Sequence, residues 1–140
     1  MQEKIRVYCD TNIYLDFLLG RKDYLRPLDE FAHSLFRKVT AGEYILVVSD
    51  HLIFELEKHI EEEKINNFLE PFIQQGKIVY VTKTEDDIKK AKILSTTNWR
   101  DMLHAILAHK ASAEYLVTRN VYDFAGTEHL LKTVFPEQIG

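Results

Sequence analysis

The chain has 140 residues, 46% of them hydrophobic and 29% charged, which fits a single domain over 1–140 with its own core. A net charge of −4 argues against a generally basic protein that coats nucleic acid, yet permits a site where acids gather around cations. Cys9 is the single cysteine, which excludes an internal disulfide. The longest aliphatic run, Ile45 to Val48, is too short for a membrane span, and no apolar leader follows Glu3, Lys4 and Arg6. A cytoplasmic location is therefore expected.

Ile5 to Cys9 is a β-rich run ending at Asp10. Thr11 and Asn12 then start a helix with apolar Ile13, Tyr14, Phe17 and Leu18 at helical spacing. Pro27 suits a first helical turn, with Asp29 and Glu30 behind it. Leu28, Phe31, Ala32, Leu35, Phe36 and Val39 carry that helix to Gly42. Tyr44 to Val48 predicts a second strand. Ser49 or Asp50 caps the next helix, with a stripe of Leu52, Ile53, Leu56 and Ile60. Ile65 to Ile73 repeats the helical pattern, and Ile78 to Val81 predicts a third strand after Gly76. Thr84 caps a helix through Leu94, and another runs from about Trp99 to Ala111. Tyr115 to Thr118 is the fourth strand and Thr133 to Phe135 a candidate fifth. Strands alternating with helices predict an α/β three-layer sandwich with a mainly parallel central sheet of four or five strands.

Such sheets bind ligands beyond the carboxyl ends of their strands. Asp10 follows the first strand, and Asp123 lies five residues beyond Thr118. Asp101 opens a helix whose Ala105, Ala108 and Ser112 would permit close packing. Glu55 falls at the border of its helix's buried stripe. If these carboxylates converge, each pair about 4 Å apart repels by roughly 4 kcal/mol at an effective dielectric of 20. Cations or protons must offset that repulsion, and all-oxygen ligands suit Mg²⁺ or Mn²⁺. Each acid also has a structural reading as a cap or a surface group, and spacing alone does not choose between them.

Four blocks in order carry a family resemblance. Val7 to Ile13 resembles the first motif of PIN-domain proteins, a strand ending in Asp-Thr/Ser-Asn. Ser49 to Glu55 resembles the second, Asp101 to Ala105 the third and Leu116 to Phe124 the fourth. The closing Val134 to Glu137 is similar to that family's last strand and its Pro-Glu tail. The resemblance covers nearly the whole chain and extends to the VapC-like ribonuclease toxins of toxin–antitoxin modules. It implies a PIN-like fold and RNA hydrolysis dependent on one or two Mg²⁺ or Mn²⁺ ions. It also implies Asp10, Glu55 and Asp101 as metal-binding and catalytic acids. Family members place the fourth acid at the position of either Asn120 or Asp123; Asp123 is preferred because Asn120 is neutral. A homodimer and an antitoxin partner are further implications.

Around this set, Thr11 and Asn12 are read as orienting Asp10 or an attacking water, or simply as caps. Thr118, Arg119 and Asn120 are read as supporting or substrate residues. Arg100, Arg119, Arg21 and Lys22 are candidate phosphate contacts or solvated cations. His104, one turn from Asp101, is a partner of the acids or a packing histidine. No histidine pair has zinc-site spacing near a cysteine. Tyr14, Phe17, Phe31, Phe36, Phe68 and Phe72 read as core or subunit interface. Rival functions are a PIN-fold module that binds RNA or protein without cutting, and an aspartyl phosphatase. The latter wants a second Asp where Asn12 stands.

Overall fold

The computed structural model describes residues 4–21 and 27–140, so Lys22 lies outside the described residues. Five strands form one sheet: β1 (Ile5–Cys9), β2 (Tyr44–Ser49), β3 (Ile78–Val81), β4 (Tyr115–Val117) and β5 (Lys132–Val134). Their spatial order is β3-β2-β1-β4-β5, and every pairing is parallel. The sheet is thus wholly rather than mainly parallel. Among the described residues seven α-helices connect and cover it as a three-layer α/β arrangement: α1 (Thr11–Leu18), α2 (Leu28–Thr40), α3 (Asp50–Leu56), α4 (Glu62–Gln74), α5 (Glu85–Leu94), α6 (Trp99–Lys110) and α7 (Pro136–Ile139). None of the described helices is long and apolar enough to cross a membrane.

The strand order has a direct consequence for function. From β1 the chain winds outward through β2 to β3, then returns to place β4 on the other side of β1. The crevice between the carboxyl ends of β1 and β4 is therefore the switch point of the sheet. Cys9 pairs with Val117, so Asp10 and Thr118 face each other one residue beyond the ladder. The Asp10 N–H donates to Val117 O at 3.0 Å, which holds the two strand ends together. Val7, Tyr8 and Cys9 are fully buried, as expected for a central strand covered on both faces.

Local chemistry explains most helix starts. Asp10, with extended backbone, accepts from the Ile13 N–H and caps α1. Thr11 and Asn12 thus lie inside the first turn and are not its cap. Ser49 takes the capping role at α3, accepting from the Leu52 N–H at 3.0 Å. Thr84 and Asp87 form a reciprocal capping box at α5. Ser112 departs from its expected place on α6: it lies past the helix end with a left-handed φ of 61°. Ala105 and Ala108 are buried, as close packing requires.

Tyr14, Phe17, Phe36, Phe68 and Phe72 join α1, α2 and α4 through ring contacts with centroids 5.1–6.0 Å apart. Leu28, Ala32, Leu35, Phe36 and Val39 are all buried within this chain. The α2 stripe is therefore spent on the core, and a homodimer would have to use another face.

Candidate metal centre

Beyond β1 and β4, a cleft of about 250 Å³ is lined by Asp10, Glu55, Asp101 and His104, with Thr11, Asn12 and Lys58 on its walls. Three of the four proposed acids thus share one space. A larger hollow of about 570 Å³ lies beside Lys4, Arg6 and Ile45, at the amino-terminal side of the strands. Among the described residues no acid lines it, and the switch-point rule favours the smaller cleft.

Each acid is held differently. Asp10 is buried; the Thr118 hydroxyl donates to its Oδ2 at 2.5 Å, and the Ile13 N–H to its Oδ1 at 3.3 Å. Burial nonetheless pushes its carboxyl up to about 6, against the Thr118 hydrogen bond and the His104 charge. Thr118 itself accepts from the Asn120 N–H at 3.0 Å, so one hydroxyl fixes both the acid and the turn after β4.

Glu55 is half-buried at the edge of α3, where its position relative to the apolar stripe had placed it. The Thr11 hydroxyl donates to its Oε1 at 2.8 Å, and His104 Nε2 bonds the same oxygen. Burial alone would raise its carboxyl, but the bonds and charge of His104, with Thr11, hold it down at about 2. Asp101, in the first turn of α6, is raised by burial against the pull of His104, and further by the charges of Asp123 and Glu55.

Asp123 is exposed in a 3₁₀ turn, Val121–Phe124, and does not line the cleft. It acts on Asp101 across the rim. Asn120 is also exposed and outside the lining. Asn12 lines the cleft and accepts from Arg21 Nη1 at 3.4 Å.

His104 is both buried and a partner of the acids, so the two sequence readings describe one residue. An ionised carboxylate only accepts, so Nε2 must carry a proton. His104 Nδ1 lies 2.6 Å from the Tyr8 hydroxyl, which in turn lies 2.7 Å from Ser49 Oγ. The result is a hydrogen-bonded relay joining Ser49, Tyr8, His104 and Glu55, ending on a cleft acid. His51 packs beside it with the rings tilted by 41° and their centroids 4.4 Å apart, its Nε2 donating to Arg100 O at 3.1 Å. Burial, then the neighbouring His104, lowers His51 to about 4. Among the described residues, His51, Glu55 and His104 bring metal-capable atoms within 4.8 Å of one another.

Arg119, read from sequence as a phosphate contact or a solvated cation, has a role within the fold. Its Nε donates to buried Asp16 at 2.9 Å. An ion this deep in α1 requires a charged partner, and Arg119 supplies one. Arg119→Ala is therefore expected to destabilise the fold by about 3 kcal/mol, read as a lower urea midpoint with an unchanged slope. Arg100, in contrast, is exposed at the rim beside Asp101, its guanidinium 4.5 Å from the Trp99 ring centroid.

The donor chemistry fits a hard divalent cation. Asp10, Glu55 and Asp101 offer carboxylate oxygens to one cleft, and two of them resist ionisation in its absence. Asp16, His51 and the relay through Tyr8 and Ser49 were not singled out from sequence. Asp16 alone left a signal there, an acid set among apolar Ile13, Tyr14, Leu15 and Phe17. No curated protein matches the chain. A family model described as the PIN domain matches residues 6–122, well over half of the sequence. The ordered motifs, the parallel sheet and this match agree: the chain belongs to the PIN-domain family.

Proposed function

We propose that the protein is an endoribonuclease dependent on Mg²⁺ or Mn²⁺, hydrolysing RNA phosphodiester bonds at the acidic cleft. The observation that carries this reading is the convergence of Asp10, Glu55 and Asp101 on one space at the switch point of the sheet. PIN domains are generally metal-dependent nucleases, which sets the prior for the same chemistry here. Asp10, Glu55 and Asp101 would hold one or two ions, with Asp123 adding charge from the rim. When bound, such an ion acidifies water and offsets charge on a phosphoryl group.

The chain's own residues do the remaining work. Thr118 fixes the rotamer of Asp10, while Thr11 and His104 fix that of Glu55. Lys58 places a cation at the cleft for RNA phosphates, and Arg100, exposed next to Asp101 in the chain, is a further candidate. A module that only bound RNA would gain nothing from three carboxylates gathered in one cleft, two of which burial holds against ionisation. We extend the reading to the toxin of a toxin–antitoxin module, for which a short neighbouring frame encoding a DNA-binding antitoxin is the genomic test.

Purified protein is expected to cut labelled RNA in Mg²⁺ or Mn²⁺, to stop in EDTA and to recover when the cation is restored. Cleavage that persists in EDTA contradicts the proposal.

A further inference from the structure

Phe54 is 55% exposed on α3, immediately before Glu55. Its ring is thus accessible to a ligand beside a cleft acid. The ring has cations on it. Lys58 Nζ lies 4.7 Å from its centroid and Lys83 Nζ 5.9 Å. Lys58 also lines the acidic cleft, so the aromatic surface and the cleft share a wall. Lys83 is positioned by Asp50, which accepts its backbone N–H at 3.0 Å and lies 3.8 Å from its ammonium.

We propose that Phe54, Lys58 and Lys83 form a stacking subsite for unpaired nucleotides leading out of the acidic cleft. This inference rests on the ribonuclease reading and adds how the substrate is gripped. An exposed aromatic face takes a base of any identity, and flanking ammonium groups take the phosphates on either side. In a chain of net charge −4, two lysines on one exposed ring mark a local preference for an anionic, π-faced ligand. A continuous duplex hides its base faces in the stack, so the subsite selects single strands. Lys58 belongs both to the ring and to the acidic cleft, which favours a strand running out of that cleft over a separate protein-docking face.

The test uses the full chain carrying Asp10→Asn, so that RNA is bound without being cut. The probe is a fluorescein-labelled oligouridylate containing one 2-aminopurine, alone or paired to its complement. Phe54→Leu keeps apolar bulk and removes the π face; Phe54→Trp keeps the face. Phe54→Leu is expected to weaken single-strand binding about tenfold and to abolish 2-aminopurine quenching. Phe54→Trp should preserve both, and duplex binding should not respond to either change. Lys58→Gln with Lys83→Gln should lower the salt dependence of binding. Thermal unfolding at the parental temperature confirms that the variants are folded. Unchanged single-strand affinity in Phe54→Leu overturns the subsite, as does loss of self-association in place of RNA binding. If the parent cuts RNA while Phe54→Leu binds like its background, the subsite fails and the ribonuclease reading stands. If the parent neither cuts nor binds RNA, both fail.

Discussion

Asp10→Asn is expected to abolish RNA cleavage while making the metal-free protein more stable. The two effects share one cause. Asp10 is buried, and its carboxyl is pushed from 3.8 to about 6 in the fold. A group with a raised folded pKa favours folding below its unfolded pKa and loses that advantage as pH rises through the folded pKa. In the metal-free protein, then, the Asp10 contribution falls between about pH 4 and pH 6 and stays low above that. The penalty at neutral pH is about 3 kcal/mol.

An asparagine at this position carries no charge to desolvate. Its amide oxygen can still accept from the Ile13 N–H and keep the α1 cap. Its amide nitrogen faces Thr118, whose hydroxyl must rotate to accept. Part of the gain is lost in that exchange, leaving an increase in unfolding temperature of roughly 3–6 °C in EDTA. The parent and the variant should converge below pH 4. Cation should raise the unfolding temperature of the parent more than that of the variant. A variant that cuts RNA like the parent would assign the activity to a contaminant.

The second large effect is expected at His104, which touches no substrate in this account and works through Glu55. His104→Ala removes a buried ring, the donor to Glu55 and a hydrogen-bond partner of Tyr8. A stability loss of about 2–4 kcal/mol follows from the cavity and the unmet Tyr8 hydroxyl. Glu55 loses the bond and charge that hold its carboxyl at about 2, and burial is then opposed only by the smaller influences of Thr11 and His51. Metal affinity or activity should fall about 10–100-fold.

A separate pH signature distinguishes this role from packing. Glu55 has a depressed pKa in the fold, so its contribution is present above the unfolded value of 4.5 and is lost as pH falls towards 2. The acid limb of the parent's stability profile should be steeper than that of His104→Ala. Tyr8→Phe keeps the ring and breaks only the upper relay, so it should lower activity less. Urea denaturation across the acid range, paired with a metal titration, measures both quantities. Parallel acid limbs in parent and variant would mean that His104 only fills space.

How much of this was legible in the sequence depends on how local each feature is. The strands and their alternation with helices follow from short apolar runs and capping residues, and the sheet follows from them. Asp10 could be placed because an acid directly after a β-rich run has one plausible side of a parallel sheet. Glu55 needed the family pattern, since many acids in this chain fall at stripe borders. The relay could not be read: Tyr8, Ser49 and His104 meet only because β1 lies beside β2 and α6 packs over both strand ends. Tyr8 reads as one more apolar residue in a strand, and its hydroxyl gains meaning only from partners 41 and 96 residues away.

Arg119 is the converse case. Beside Asn120 it looks like a phosphate ligand, but Asp16, more than a hundred residues earlier, takes its guanidinium. Phe54 was hidden for a different reason. Apolar residues on helices are assigned to cores by default, and only measured exposure separates a surface aromatic from a buried one.

The most direct test of the central claim is the anomalous difference map of a crystal soaked in Mn²⁺. The account predicts a peak in the cleft, in contact with Asp10, Glu55 and Asp101. A peak confined to His51 and His104, or no peak where the three acids converge, would contradict it.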